Sequence, residues 1–140
     1  MLTISFIALL KQLSLAIVLG FSLGVEREIA RKSAGIRTHI LVSLGAALFS
    51  IISTSVIGPN VDPTRIAAQI VVGIGFLGGG MIIFQDSKLQ GLTTAAGVWV
   101  AAAIGMAVGF ELYQLAIVGT LLALGVFLVI GPIERAISNV

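Results

Sequence analysis

Long apolar runs separated by short polar joints make up this chain, and the runs are longer than strands or the buried stripes of soluble helices. A helix needs about 20 residues to cross the roughly 30 Å hydrocarbon core of a bilayer. Five runs approach that length: residues 4–25, 37–57, 65–84, 93–109 and 112–131. Polar positions do not alternate with period two, which argues against the strands of a membrane barrel. The pattern predicts an all-α, polytopic transmembrane helical bundle of about five spans, with short connections that make consecutive helices antiparallel neighbours. The least defined joint is Gly109-Phe110-Glu111-Leu112-Tyr113, where a four-span arrangement with a helical hairpin is the alternative.

Composition agrees with that reading. Of the 140 residues 58% are hydrophobic and the mean hydropathy is +1.16, against roughly 45–50% apolar for soluble domains. There is no cysteine, so neither a disulfide framework nor a thiolate metal site can form. The first run carries Lys11 and Gln12 inside its apolar stretch and no A-x-A site follows, so it is expected to be retained rather than removed as a signal peptide. A net charge of +2 is too small to suggest nucleic acid. No repeat or flexible linker appears, and one domain over residues 1–140 is expected, with the lipid bilayer as its first partner.

The charges are unevenly spread. Glu26, Arg27, Glu28, Arg31, Lys32 and Arg37 crowd between the first two runs. Cytoplasmic joints carry the excess of Lys and Arg. Those four basic residues, with Lys88 and Arg135, outweigh Lys11 and Arg65 on the other side, which places the amino terminus outside and the carboxyl terminus inside. Asp62-Pro63-Thr64-Arg65 resembles a helix start, with Asp62 as N-cap and Pro63 in the first turn. Gly131-Pro132 is expected to end or kink the last run.

Several residues are candidates for chemistry, each with a plainer role beside it. Glu26 follows the first run by so little that its carboxylate should face protein or a water-filled cavity, because lipid exposure is expensive. Glu28 lies within one turn of Arg31 and Lys32 if helix continues, and self-pairing in a solvated loop is its plainer role. Arg37 offers a planar fork for a carboxylate or phosphate, or a headgroup anchor. Thr38 and His39 follow it. His39 is the only histidine, so a structural hydrogen bond is favoured over catalysis. Thr93 and Thr94 stand near a helix N-terminus, a place for caps or anions. Trp99 lies deep enough that its N–H should find a protein partner. With the inner-side residues above, these form a polar cluster on the cytoplasmic face.

Glycines supply the packing candidates. Gly20-x-x-x-Gly24 allows close helix approach, with a homodimer contact as the alternative. Gly73, Gly75, Gly78 and Gly79 satisfy a G-x-G-x-x-G string, but no βαβ unit surrounds it and a dinucleotide reading fails. They permit close crossing or a helix break lining a site. Asp62, Arg65 and Gln69 form an outer-side cluster whose plainer role is capping and anchoring.

No nucleophile, base and orienter can be assembled, and no nucleotide-binding loop exists; neither enzyme activity nor a cofactor is expected. Magnesium prefers oxygen ligands from one or two carboxylates. Glu26, Glu28 and Asp86 could supply these inside, Asp62 or Glu111 outside, but no acidic residue falls at the middle of a run, which ranks transport below regulation.

The strings GxxxGxERE (Gly20 to Glu28), AGxRTHxLVxLGAALF (Ala34 to Phe49), RIAAQIVxGIGFLG (Arg65 to Gly78) and GLTTAAxxW (Gly91 to Trp99) resemble the MgtC/SapB family of bacterial membrane proteins. The resemblance implies a multi-span plasma-membrane (inner-membrane) domain tied to adaptation to low magnesium and, in pathogens, to virulence inside host cells. It also implies a regulatory role that includes inhibition of the proton-translocating ATP synthase, with magnesium or other cation transport as the alternative. Longer members append a soluble domain after the last span. This sequence stops at Val140, so no such domain is expected.

Overall fold

The computed structural model describes residues 5–55, 62, 64–85 and 88–138. Among them the apolar runs form helices α1 (Phe6–Ile29), α2 (Ile36–Ser55), α3 (Arg65–Gly80), α4 (Leu92–Gly109) and α5 (Tyr113–Gly125). Helix α5 passes through a π-helical turn, Val126–Ile130, into α6 (Gly131–Ser138). One departure from an all-helical chain is a hairpin of β1 (Ile83–Gln85) and β2 (Lys88–Gln90), pairing Phe84 with Leu89. Asp86 lies outside the described residues.

Four helical stretches are long and apolar enough to cross a bilayer, namely α1, α2, α4 and the continuous Tyr113–Glu134 that runs from α5 through the π turn into α6, whereas α3, at 16 residues, is shorter. At 1.5 Å per residue α3 spans about 24 Å, short of a full hydrocarbon core. The expected third run therefore ends early, where Gly78-Gly79-Gly80 gives way to the hairpin. Helix α3 is continuous from Arg65 to Gly80, so its glycines do not break it. Nor does Gly131-Pro132 end the last helix. The π turn just before it loosens the hydrogen-bond ladder where Pro132 has no N–H to give.

Helix α4 is the centre of the bundle and contacts α1, α2, α3 and α5. Its Val98, Ala101 and Val108 are fully buried, with Leu23, Ala47 and Ala116 from its neighbours. Close approach depends on small residues, since lipid supplies no drive between helices. A Cβ on Gly105 would run into the Ser43 backbone, and one on Gly109 would lie 2.6 Å from the Ala47 carbonyl. Across the other face of α2, a Cβ on Gly20 would come within 2.7 Å of the His39 carbonyl and one on Gly24 within 2.6 Å of the Ile36 Cα. Gly73, Gly75 and Gly79 behave differently from the expectation of close crossing: nothing lies within 4 Å of where their Cβ atoms would be. Of the α3 glycines flagged from sequence, Gly78 has a neighbour at van der Waals distance, Ala95.

Interior polar side chains are absorbed by backbone. Gln12 Nε2 donates to the Val108 and Gly109 carbonyls at 2.8 and 3.1 Å; the Val108 carbonyl also accepts from the Glu111 N–H, so Gln12 takes its second lone pair. Ser43 Oγ donates to the Ala16 carbonyl, Ser50 Oγ to Ala46 and Thr120 Oγ1 to Ala116. Trp99 does not follow the expectation of an internal partner. It is 51% exposed on the lipid-facing side and makes no hydrogen bond among the described residues.

Candidate functional site

At the basic end of the bundle, α1 continues one turn past its last apolar stretch, so Glu26, Arg27 and Glu28 are helical. The helix then stops in a Schellman turn: Arg31 N–H donates to the Glu28 carbonyl and Lys32 N–H to that of Arg27. Arg31 occupies the left-handed position with φ 53°. Glycine is the usual residue there, and a side chain costs about 1 kcal/mol. Because the helix ends at Ile29, Glu28 does not pair with Arg31 or Lys32 along it. Its Oε2 instead accepts from Ile36 N–H at 3.1 Å, placing a carboxylate at the N-terminus of α2.

Arg27 is the buried cation of the site. Its side chain is 5% exposed and that of Glu26 13%, with Nη1 and Oε2 3.4 Å apart. The guanidinium carbon stands 4.3 Å over the Phe127 ring, a cation–π contact supplied by the π turn. Arg27 Nε and Glu26 Oε2 make no hydrogen bond, although both are buried. His39 is fully buried beside them, and its Nδ1 lies 2.9 Å from the Gly35 carbonyl. A carbonyl only accepts, so Nδ1 carries the proton and Nε2 is left as a buried acceptor in the neutral ring. Gly97 makes room for Phe127 here: a Cβ on it would come within 3.0 Å of the Phe127 ring, while His39 Nε2 would lie at ordinary contact distance, 3.5 Å.

Thus the structure brings Glu26, His39 and Thr94 to one end of the bundle, and adds Arg27 and Phe127. Arg37 and Thr93 are exposed and Thr38 is half-buried. In the sequence Arg27 enters only the count of basic residues that sets topology. Its signal was present in the three-residue spacing from Gly24, itself buried, but both lipid-facing and core-facing positions on α1 are apolar and no stripe marked the inward side.

Two clefts open here. One of about 260 Å³ separates Glu26 and Arg27 from Ile130 and Glu134. A larger one of about 710 Å³ lies between Arg27, Arg31 and Lys32 on one side and Gln90, Thr93 and Thr94 on the other. Among the described residues, no group of three or more His, Asp or Glu is placed to hold a metal ion.

The outer-side cluster is a helix start. Asp62 Oδ1 accepts from the Thr64 N–H and hydroxyl at 2.8 and 2.7 Å, and α3 begins at Arg65 with Thr64 as its N-cap, two residues beyond the expected one. Pro63 lies outside the described residues. Among the described residues the ion pair is that of Arg27 with Glu26, not one between Asp62 and Arg65. Gln69 lines a groove between α2 and α3.

Comparison with known proteins places this architecture. The MgtC family model matches residues 13–136. The chain is 46% identical over 126 residues to the "Putative magnesium transporter YhiD" of Escherichia coli K12, covering 83% of this chain and 59% of that protein. It is 42% identical to "Protein MgtC" of Brucella abortus, over 88% of this chain and 51% of the relative. The corresponding figures for "Protein MgtC" of Salmonella typhimurium are 44%, 78% and 46%. The chain thus spans about half the length of the curated relatives it matches. No solved structure matches. A family match over nearly the whole sequence, with relatives above 40% identity, makes this multi-pass membrane protein a member of the MgtC family.

Proposed function

We propose that the chain is a non-enzymatic regulator in the bacterial inner membrane that acts by helix contact on a larger membrane complex during adaptation to low magnesium or intracellular stress. The observation that carries this is the contrast between a spent interior and an unspent face. Gln12, Ser43, Ser50 and Thr120 donate to backbone carbonyls, and the buried groups left unpaired among the described residues, Glu26 Oε2, Arg27 Nε and His39 Nε2, sit together at the basic end rather than in a file across the span. On α3, by contrast, Gly73, Gly75 and Gly79 have open space beside them. Gly73 also lines an apolar groove of about 330 Å³ between α2 and α3, with Leu41, Gly45, Phe49, Ile70 and Leu77. Such a surface accepts a second helix at short range.

The complex we propose is the proton-translocating ATP synthase, which the family resemblance implies. ATP-driven proton pumping in inverted membrane vesicles tests it. Adding the chain should lower pumping, and Gly75→Leu with Gly79→Leu should abolish the effect while leaving the fold intact. Mild-detergent purification that repeatedly returns only a homo-oligomer would count against a larger partner.

Cation transport is the second reading, favoured by the name carried by the E. coli relative. Liposomes containing the chain would then take up magnesium in a protein-dependent way. Absence of flux where a known carrier works removes this reading.

A further inference from the structure

The larger cleft at the basic end has a composition that neither regulation by helix contact nor ion transport uses. Arg27, Arg31 and Lys32 line it, and among the described residues no carboxylate does. Opposite them is the N-terminus of α4, an 18-residue helix whose N-cap, Gly91, offers no side-chain acceptor to the first N–H groups. Such a terminus attracts anions through its open donors and its dipole. Gly91 is held in this position by necessity. Its φ is 90°, and a Cβ would collide with the Met81 carbonyl.

Two unpartnered groups point independently to a ligand. Thr94 lines the cleft, is 95% buried, and its hydroxyl has no hydrogen-bond partner among the described residues. Arg27 is as deeply buried, and its Nε donor is unused. Arg27 Nε is a buried donor left unmade, which is costly, and the Thr94 hydroxyl is free to donate to an acceptor that enters the cleft.

We propose that this cleft binds a phosphate-bearing anion at the membrane surface, gripped by Arg27, Arg31 and Lys32 against the N-terminus of α4 and the Thr94 hydroxyl. Charge-assisted contacts from guanidinium groups suit phosphate oxygens. The source can be the headgroup of an anionic lipid or a soluble phosphate. The rim favours lipid: Ile83 and Leu89 line the same cleft and are 58% and 55% exposed, giving acyl chains an apolar edge beside the charged floor. The proposal stands whether the chain regulates or transports.

The full chain in neutral detergent is titrated separately with short-chain phosphatidylglycerol, short-chain phosphatidylcholine and inorganic phosphate, and the thermal midpoint is followed. Phosphatidylglycerol should raise it saturably and less so in high salt, with phosphatidylcholine inert. A rise with inorganic phosphate alone assigns the site to a soluble anion instead of lipid. Arg31→Gly relaxes the turn, so this variant should fold as well as the parent and bind about tenfold more weakly. Lys32→Gln and Thr94→Val test the site away from that turn and should each weaken binding severalfold. No shift with either anion, an equal shift with phosphatidylcholine, or undiminished affinity in all three variants would overturn the proposal.

Discussion

A buried ion pair is asymmetric towards mutation: removing one partner strands the other's charge, whereas removing both leaves only a packing change. Arg27 and Glu26 meet that condition, at 5% and 13% side-chain exposure and 3.4 Å. Arg27→Met alone should cost about 3 kcal/mol, through the isolated Glu26 carboxylate and the lost Phe127 contact. Adding Glu26→Gln should recover most of that loss. Denaturation of the four variants in detergent gives the cycle directly, and equal, additive costs would show that the pair contributes little. Asp62 works in the opposite setting, exposed and outside the spans. Hydrogen bonds from the Thr64 hydroxyl and N–H, in that order, hold its carboxyl below the ordinary aspartate value of about 3.9. A depressed folded value means the stabilisation is complete above the unfolded value and is lost as pH falls through the folded one. Amide exchange in the first turn of α3 should therefore be pH-insensitive, after correction for intrinsic rates, down to about pH 4 and accelerate below it. Asp62→Asn should remove that acid step.

Helices tell glycines apart by what a methyl group would meet. Gly24→Ala forces a Cβ to 2.6 Å from the Ile36 Cα, a backbone atom that can yield only by separating α1 from α2. Overpacking of this kind costs about 1–3 kcal/mol. Gly75→Ala meets open space, so helix propensity should stabilise it by about 0.5–1 kcal/mol. Thermal midpoints of the two variants should move in opposite directions. A fall with Gly75→Ala would mean that α3 packs against something in the membrane, as a regulator's contact face would. The same pair marks the reach of sequence reading. Apart from the carboxyl end of the last, which continues past Gly131-Pro132 to Ser138, the apolar runs could be placed to within a few residues, and so could the basic joint that ends α1, because length and charge are linear properties. Which glycines touch a neighbour could not be read, since Gly20 and Gly75 sit in equally apolar surroundings. Helix α4 was hidden as the hub for the same reason: in lipid both its faces want apolar side chains, and amphipathic periodicity, the usual pointer to the core, is absent. The depth of Arg27 depended on the π turn carrying Phe127, which no propensity announces.

Across the whole molecule, polarity collects at one end. The end of α1, the start of α2, the hairpin, the start of α4 and the π turn all meet there, so the candidate site and the excess of basic charge share one side of the membrane. By the positive-inside rule that side is expected to face the cytoplasm, and cytoplasmic leaflets carry the anionic lipids that a basic cleft would meet. The absence of cysteine makes the orientation measurable without background. Ser33→Cys, exposed between α1 and α2, should resist a membrane-impermeant maleimide in intact cells and react in inverted vesicles. Leu112→Cys, 52% exposed between α4 and α5, should do the reverse. Reaction of both from one side would break the antiparallel path through α4, because these positions flank its two ends. Reversal of both would keep the bundle but move the basic cleft to the outer surface, away from the leaflet whose lipids it is built to attract.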